Sequence, residues 1–167
     1  MHNNYFVYLC VTIIEKMHHH ELTIDHYIRT TWLTIQKMYN EQASKFDSTM
    51  VLGFALLSLD PKKGTPSTSL GPKMGMEPTS LSRTLKKLEE RGMIVRENHP
   101  GDKRSVLIYL TEDGLKMRDV SKKVVLRFYE AIEEQIDSER LKVFFEVLYK
   151  INEIAISKEI YREKELK

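Results

Sequence analysis

The stretch Pro78-Thr79-Ser80-Leu81-Ser82-Arg83-Thr84-Leu85-Lys86-Lys87-Leu88-Glu89-Glu90-Arg91-Gly92 carries a helix together with both of its ends. Proline suits the first helical position, because the N–H it lacks has no partner there anyway. Gly92 supplies the left-handed residue that stops a helix. Between them, Leu81, Leu85 and Leu88 make one apolar stripe. At about 100° per residue, Thr79, Arg83, Lys86 and Lys87 fall on the opposite side. One face is built to pack, and the other offers hydroxyls and positive charge.

Downstream, Met93 to Glu97 and Ser105 to Leu110 read as strands, the second with Val106, Ile108 and Leu110 alternating with Leu107 and Tyr109. The intervening Asn98-His99-Pro100-Gly101-Asp102-Lys103-Arg104 has the composition of a polar hairpin loop. Thr111 is placed to cap a helix with Glu112 and Asp113 in its first turn. That helix carries Leu115, Val120, Val124, Phe128 and Ile132. A last helix follows Asp137-Ser138, with Leu141, Phe144, Phe145, Leu148, Ile151 and Ala155.

Upstream, Gly75 makes a turn, and a short helix is expected to contain Leu70 and Met74. With Ser67 as its cap, Pro72 lies beyond the first turn and costs a hydrogen bond, which predicts a late start or a distortion. Residues 61–66 read as a turn. Met50 to Leu59 is apolar on nearly every side, as in a buried helix, with Thr49 as its cap. Leu22 to about Lys45 shows helical spacing through Ile24, Tyr27, Ile28, Ile35, Met38 and Tyr39.

Helix, turn, helix and a hairpin with a basic tip is a winged helix-turn-helix order. A helix fits the major groove of duplex DNA, where arginine pairs with guanine and hydroxyls bond bases or phosphates. A hairpin tip reaches the narrower minor groove, which favours arginine. From Arg83 to Arg104 there are seven basic and four acidic residues, a local excess hidden by a whole-chain charge of +2.

Residues 76–114 resemble the MarR family of bacterial transcription regulators. The resemblance rests on the run from Ser80 to Gly92 ending Leu88-Glu89-Glu90-Arg91-Gly92, on Asp102-Lys103-Arg104 in the wing, and on the exit through Leu110-Thr111-Glu112-Asp113-Gly114. It extends more loosely from Leu22 to about Ile156. Gly71-Pro72 departs from the usual family helix, and the segment before Met17 lies outside the pattern. What the resemblance implies is a mainly α fold with a small β-hairpin wing. A winged helix over about 49–111 would sit between dimerisation helices over about 22–45 and 112–157, all within a single domain 17–158 followed by a charged tail 159–167.

The same resemblance implies a cytoplasmic homodimer on a pseudo-palindromic operator in double-stranded DNA. Repression, with relief by a small-molecule effector, is the usual output. The DNA-binding residues expected in the recognition helix are Pro78, Thr79, Ser80, Ser82, Arg83, Lys86 and Lys87. Those expected in the wing are Arg96, Asp102, Lys103 and Arg104. Val124, Phe128, Phe144, Leu148 and Ile151 are expected in an interleaved dimer core. A winged helix that docks on protein and no longer reads DNA is the alternative.

Composition bounds the rest. The 167 residues are 41% hydrophobic and 30% charged, as in a globular domain. One cysteine, Cys10, excludes an intramolecular disulfide and any multi-thiolate metal site. Cys10 has no nearby basic group to activate it and reads as inert. His18, His19 and His20 are consecutive, cannot share one helical face, and read as a solvated segment. Tyr5 to Ile14 is apolar but too short to span a bilayer. Residues 1–16 read as an upstream extension, disordered or non-native, with a short docked element as the alternative. Trp32, Phe46 and Tyr27 read as core or interface rather than as a ligand pocket. No nucleophile elbow, phosphate-cradling glycine loop or His-Glu-x-x-His motif is present, so neither an enzyme nor a cofactor is expected.

Overall fold

The structure is a computed structural model that describes residues 23–99 and 101–157, with the backbone alone at residue 99 and at residues 102–104. The expectations for residues 1–16, for Cys10, for His18, His19 and His20 and for the tail 159–167 lie outside the described residues. The chain divides into two compact units, one ending at Arg118 and one beginning at Asp119.

The first unit contains α1 (Ile24–Ser44), α2 (Met50–Ser58), β1 (Thr65–Pro66), α3 (Ser67–Met74), α4 (Pro78–Glu90), β2 (Ile94–His99), β3 (Asp102–Leu110) and the start of α5 (Glu112–Glu133). The strands form an antiparallel sheet in the order β1-β3-β2. This is the expected mainly α winged helix-turn-helix. Thr49 caps α2, its hydroxyl accepting the Leu52 N–H at 3.4 Å. The Asn40 side chain accepts the Met50 N–H at 3.0 Å, and the Tyr39 and Phe54 rings meet edge-on at 5.7 Å, so α1 is tied to α2.

The core gathers one face of each short element: Leu52, Ala55, Leu56 and Leu59 around α2, Leu70 from α3, Leu81, Leu85 and Leu88 from α4, and Ile94 and Ile108 from the sheet. Leu56, Leu70 and Ile108 are completely buried. At roughly 1.5–3 kcal/mol for each large apolar side chain, this face supplies the winged unit's main stabilisation.

Three local expectations need correction. Residues 61–66 are not all turn: Thr65 and Pro66 form β1, paired with Ile108 and Leu107. Asp60 shapes the turn before it. Its carboxylate accepts the Lys62 and Lys63 N–H groups at 2.8 and 2.9 Å, which hold its carboxyl below the usual carboxylate range. Next, α3 starts at Ser67 without delay and carries Pro72 inside it. Burying Leu70 is worth roughly 1.5–3 kcal/mol. An interior proline costs about 3 kcal/mol, so the burial of Leu70 roughly offsets it. Gly75, at φ 60°, then closes α3, with Met76 N–H on the Gly71 carbonyl at 3.0 Å. Finally, β2 runs on to His99 and β3 begins at Asp102, so Asp102, Lys103 and Arg104 have strand backbone and not loop backbone. His99 pairs with Asp102 after an irregularity between Asn98 and His99. Ladder hydrogen bonds extend the hairpin beyond its apolar residues.

The second unit consists of the remainder of α5 and α6 (Ser138–Ser157). Asp137 caps α6 by accepting the Arg140 N–H at 2.9 Å. Leu141 is the only residue of α6 that is buried, while Val143, Phe144, Phe145, Val147, Ile154 and Ile156 are exposed.

Candidate nucleic-acid interface

The recognition-helix candidate, α4, separates its two faces as its periodicity predicts. Leu81, Thr84, Leu85 and Leu88 are buried. Thr84 satisfies its hydroxyl by donating to the Ser80 carbonyl at 2.9 Å, so its burial leaves no unpaired polar atom. Pro78, Thr79, Ser80, Ser82, Arg83, Lys86 and Lys87 are all exposed. Pro78 takes the first helical position. The seven expected residues therefore lie together on the solvent side and first turn of one rigid helix. Lys86 reaches Glu90 at 3.7 Å, a solvated pair of little energetic weight that leaves the ammonium accessible.

The wing residues divide. Arg96 lies on β2, opposite Ile108, and its Nε meets the Glu89 carboxylate of α4 at 3.0 Å. It thus belongs to the helix–sheet junction and not to the tip. Asp102, Lys103 and Arg104 have their backbones at the start of β3, beside the hairpin end. Their side chains lie outside the described residues.

Between α3, the start of α4 and β2 lies an open concavity of about 700 Å³, with Thr68, Gly71, Met76, Pro78, Ser82 and Arg96 in its wall. Among the described residues, no group of three or more His, Cys, Asp or Glu side chains is placed to hold a metal ion. No described helix is long and apolar enough to cross a membrane.

A family model described as MarR family matches residues 49–106, from the cap of α2 into β3. Over this stretch the chain is similar to the MarR family. It is 32% identical over 83 residues to the organic hydroperoxide resistance transcriptional regulator of Bacillus subtilis, across 50% of this chain and 56% of that one. It is 31% identical over 81 residues to the HTH-type transcriptional regulator YdgJ of the same species, across 48% of this chain and 49% of the relative. The chain thus spans about half the length of these curated relatives. Among solved structures, the MepR–DNA complex of S. aureus superposes with a TM-score of 0.73 at 19% identity, covering 80% of this chain and 98% of that one. PcaV of Streptomyces coelicolor, in complex with its natural ligand, superposes with a TM-score of 0.69 at 20% identity, covering 79% and 93%. At such identities the likeness is one of fold.

The basic excess along residues 83–104 is smaller in space than in sequence. Arg91 turns away from the exposed face of α4. Its guanidinium donates to the Asp47 carbonyl at 2.6 Å and lies 3.8 Å from the Asp47 carboxylate. It fastens the end of α4 to the turn between α1 and α2, where Asp47 has a left-handed φ of 51°. Sequence reading missed this bond and the Glu89–Arg96 pair. The charge pattern alone held no signal for Arg91, because its partner is 44 residues away. Glu89 and Arg96 carried a weaker signal, being an acid at a helix end and a base in the following strand.

Proposed function

We propose that the chain is a sequence-specific double-stranded-DNA-binding transcription regulator that works as a homodimer in the cytoplasm. The observation that carries this reading is α4 itself: its leucine face is sunk in the core, while Thr79, Ser80, Ser82, Arg83, Lys86 and Lys87 are all left exposed beside a hairpin. Helix-turn-helix proteins use such a face in the major groove. The superposition on a relative crystallised with DNA supports the reading. Repression relieved by a small ligand is the output we propose, supported by the fold shared with a regulator crystallised with its natural ligand. Selection of duplexes from a random-sequence pool tests the function directly. Enrichment of one pseudo-palindromic sequence is expected, and no enrichment would leave the protein-docking alternative standing.

Arg83 is expected to read bases. Arg83→Ala should weaken binding to the selected duplex by about 1–3 kcal/mol and relax its sequence preference. Lys87→Ala and Lys86→Ala should weaken all duplexes alike and flatten the salt dependence. Titration of selected and scrambled duplexes separates the two. An equal loss on both by Arg83→Ala would remove its base-reading role.

In the wing, Arg104 enters the minor groove on this reading, and Asp102, two residues earlier on β3, orients it. Preorganisation reduces the side-chain entropy lost on binding. Arg104→Ala should lower affinity without lowering the melting temperature, and Asp102→Ala should lower affinity more mildly. Phosphate electrostatics alone predicts the opposite sign for Asp102→Ala, since removing an acid near DNA should tighten binding. Tighter binding at fixed salt would therefore show that Asp102 does not orient the wing.

A further inference from the structure

Recognition helix α4 ends in a pair of reversed hydrogen bonds around Gly92, whose φ is 66°. Gly92 N–H reaches the Glu89 carbonyl at 2.9 Å, and Met93 N–H reaches the Leu88 carbonyl at 2.9 Å. This arrangement leaves the carbonyl of Gly92 itself to be satisfied. Thr111, at the junction of β3 and α5, donates its hydroxyl hydrogen to it at 2.6 Å. The Thr111 hydroxyl oxygen in turn accepts the Gly114 N–H at 3.0 Å, capping α5. The Thr111 N–H donates to the Met93 carbonyl at 3.1 Å. A hydroxyl has one hydrogen to give and lone pairs to receive, and here both capacities are in use.

We propose that Thr111 is a positioning residue for DNA recognition: its hydroxyl locks the tail of α4 to the first turn of α5 and so sets the aim of the reading face. This rests on the DNA-binding reading given above. Two further ties converge on the same end of α4, Glu89 to Arg96 and Arg91 to Asp47. The opposite end opens onto the concavity at Pro78 and Ser82. The polar ties thus gather at the tail of the helix, while its head, seated in the core by Leu81, carries the reading side chains. Thirteen residues at 1.5 Å each make a lever of roughly 20 Å, so a tilt of about 5° at the tail moves the head by roughly 2 Å. A displacement of that size breaks hydrogen bonds to base edges, which tolerate only a few tenths of an ångström.

Capping alone would explain the Gly114 bond but not the Gly92 bond, and substitutions separate the two. Thr111→Ser keeps both donor and acceptor. Thr111→Asp keeps a strong capping acceptor but has no hydrogen to give Gly92 at neutral pH. Thr111→Val, uncharged and of the same shape, lacks both. The test measures amide hydrogen exchange of residues 88–93 in the free protein. It also measures the affinity ratio between a duplex selected on the wild-type protein and a scrambled duplex. Thr111→Ser should match wild type on both within about twofold. Thr111→Asp and Thr111→Val should each exchange at least about tenfold faster at residues 88–93, and each should lose at least about tenfold of the affinity ratio, with scrambled-duplex affinity unchanged. Wild-type exchange and ratio in Thr111→Asp, with only Thr111→Val affected, would reduce Thr111 to a cap and overturn the proposal. If the wild-type protein selects no duplex, the DNA-binding reading fails instead, and the exchange rates alone decide whether the lock exists.

Discussion

Gly114→Ala is expected to cost at least about 3 kcal/mol of stability, among the larger effects a single substitution produces. A Cβ built on Gly114 would collide with the Met93 carbonyl oxygen and would lie 2.9 Å from its carbon and 3.2 Å from Leu110 Cδ2. Two of these three atoms are backbone. Neither can swing aside, because Met93 O also accepts the Thr111 N–H. Relief requires the first turn of α5 to part from the strand end, which breaks the Thr111 bonds to Gly92 and Gly114 as well. For a chain of this size the cost corresponds to a melting temperature lower by roughly 6–12 °C. Gly71→Ala is the control, since its nearest neighbour would be at 3.4 Å and its backbone is helical. Equal melting temperatures for Gly114→Ala and wild type would show that the close approach is not maintained in solution.

Val147→Glu should convert a dimer into monomers. In a single chain Val147 is 51% exposed, and it shares a stripe with Val143 and Ile154, also exposed. A carboxylate at such a site in a monomer would change stability by no more than about 0.5 kcal/mol. The α6 helix, however, buries only Leu141 within one chain, and α1 buries nothing, with Ile24, Tyr27, Ile28, Trp32 and Leu33 open to solvent. Exposed apolar surface of this kind, on each helix taken by itself, marks an interaction face. If a second copy covers the α6 face, the substitution places an unpaired charge in apolar surroundings, twice, since a two-fold interface repeats every residue. At 1.4 kcal/mol per tenfold, a loss of several kcal/mol raises the dissociation constant by a hundredfold or more. Sedimentation at micromolar concentration should give twice the chain mass for wild type and one chain mass, still helical by circular dichroism, for Val147→Glu. A wild-type monomer, or a variant dimer of unchanged affinity, would refute the dimer.

What the sequence determined by itself is what depends on near neighbours. The period of Leu81, Leu85 and Leu88 places one face of α4 inward, and with it the whole set from Pro78 to Lys87 that can face a ligand. Thr49, Thr111 and Asp137 announce helix starts, because a cap bonds a backbone N–H only three residues on. The alternation of Val106, Ile108 and Leu110 locates a strand. Tertiary structure decided everything whose partner is remote along the chain. Thr65 and Pro66 become a strand only because Ile108 and Leu107 lie beside them. Arg91 leaves the basic face only because Asp47 offers it a carbonyl, and Glu89 takes up Arg96 across the helix–sheet junction. Pro72 is accepted inside a helix where the burial of Leu70 in the core roughly offsets its cost. Gly114 is irreplaceable, and Thr111 more than a cap, for the same reason. Backbone at residues 92–93 approaches the start of α5, and no local pattern records the distance between segments that only folding brings together.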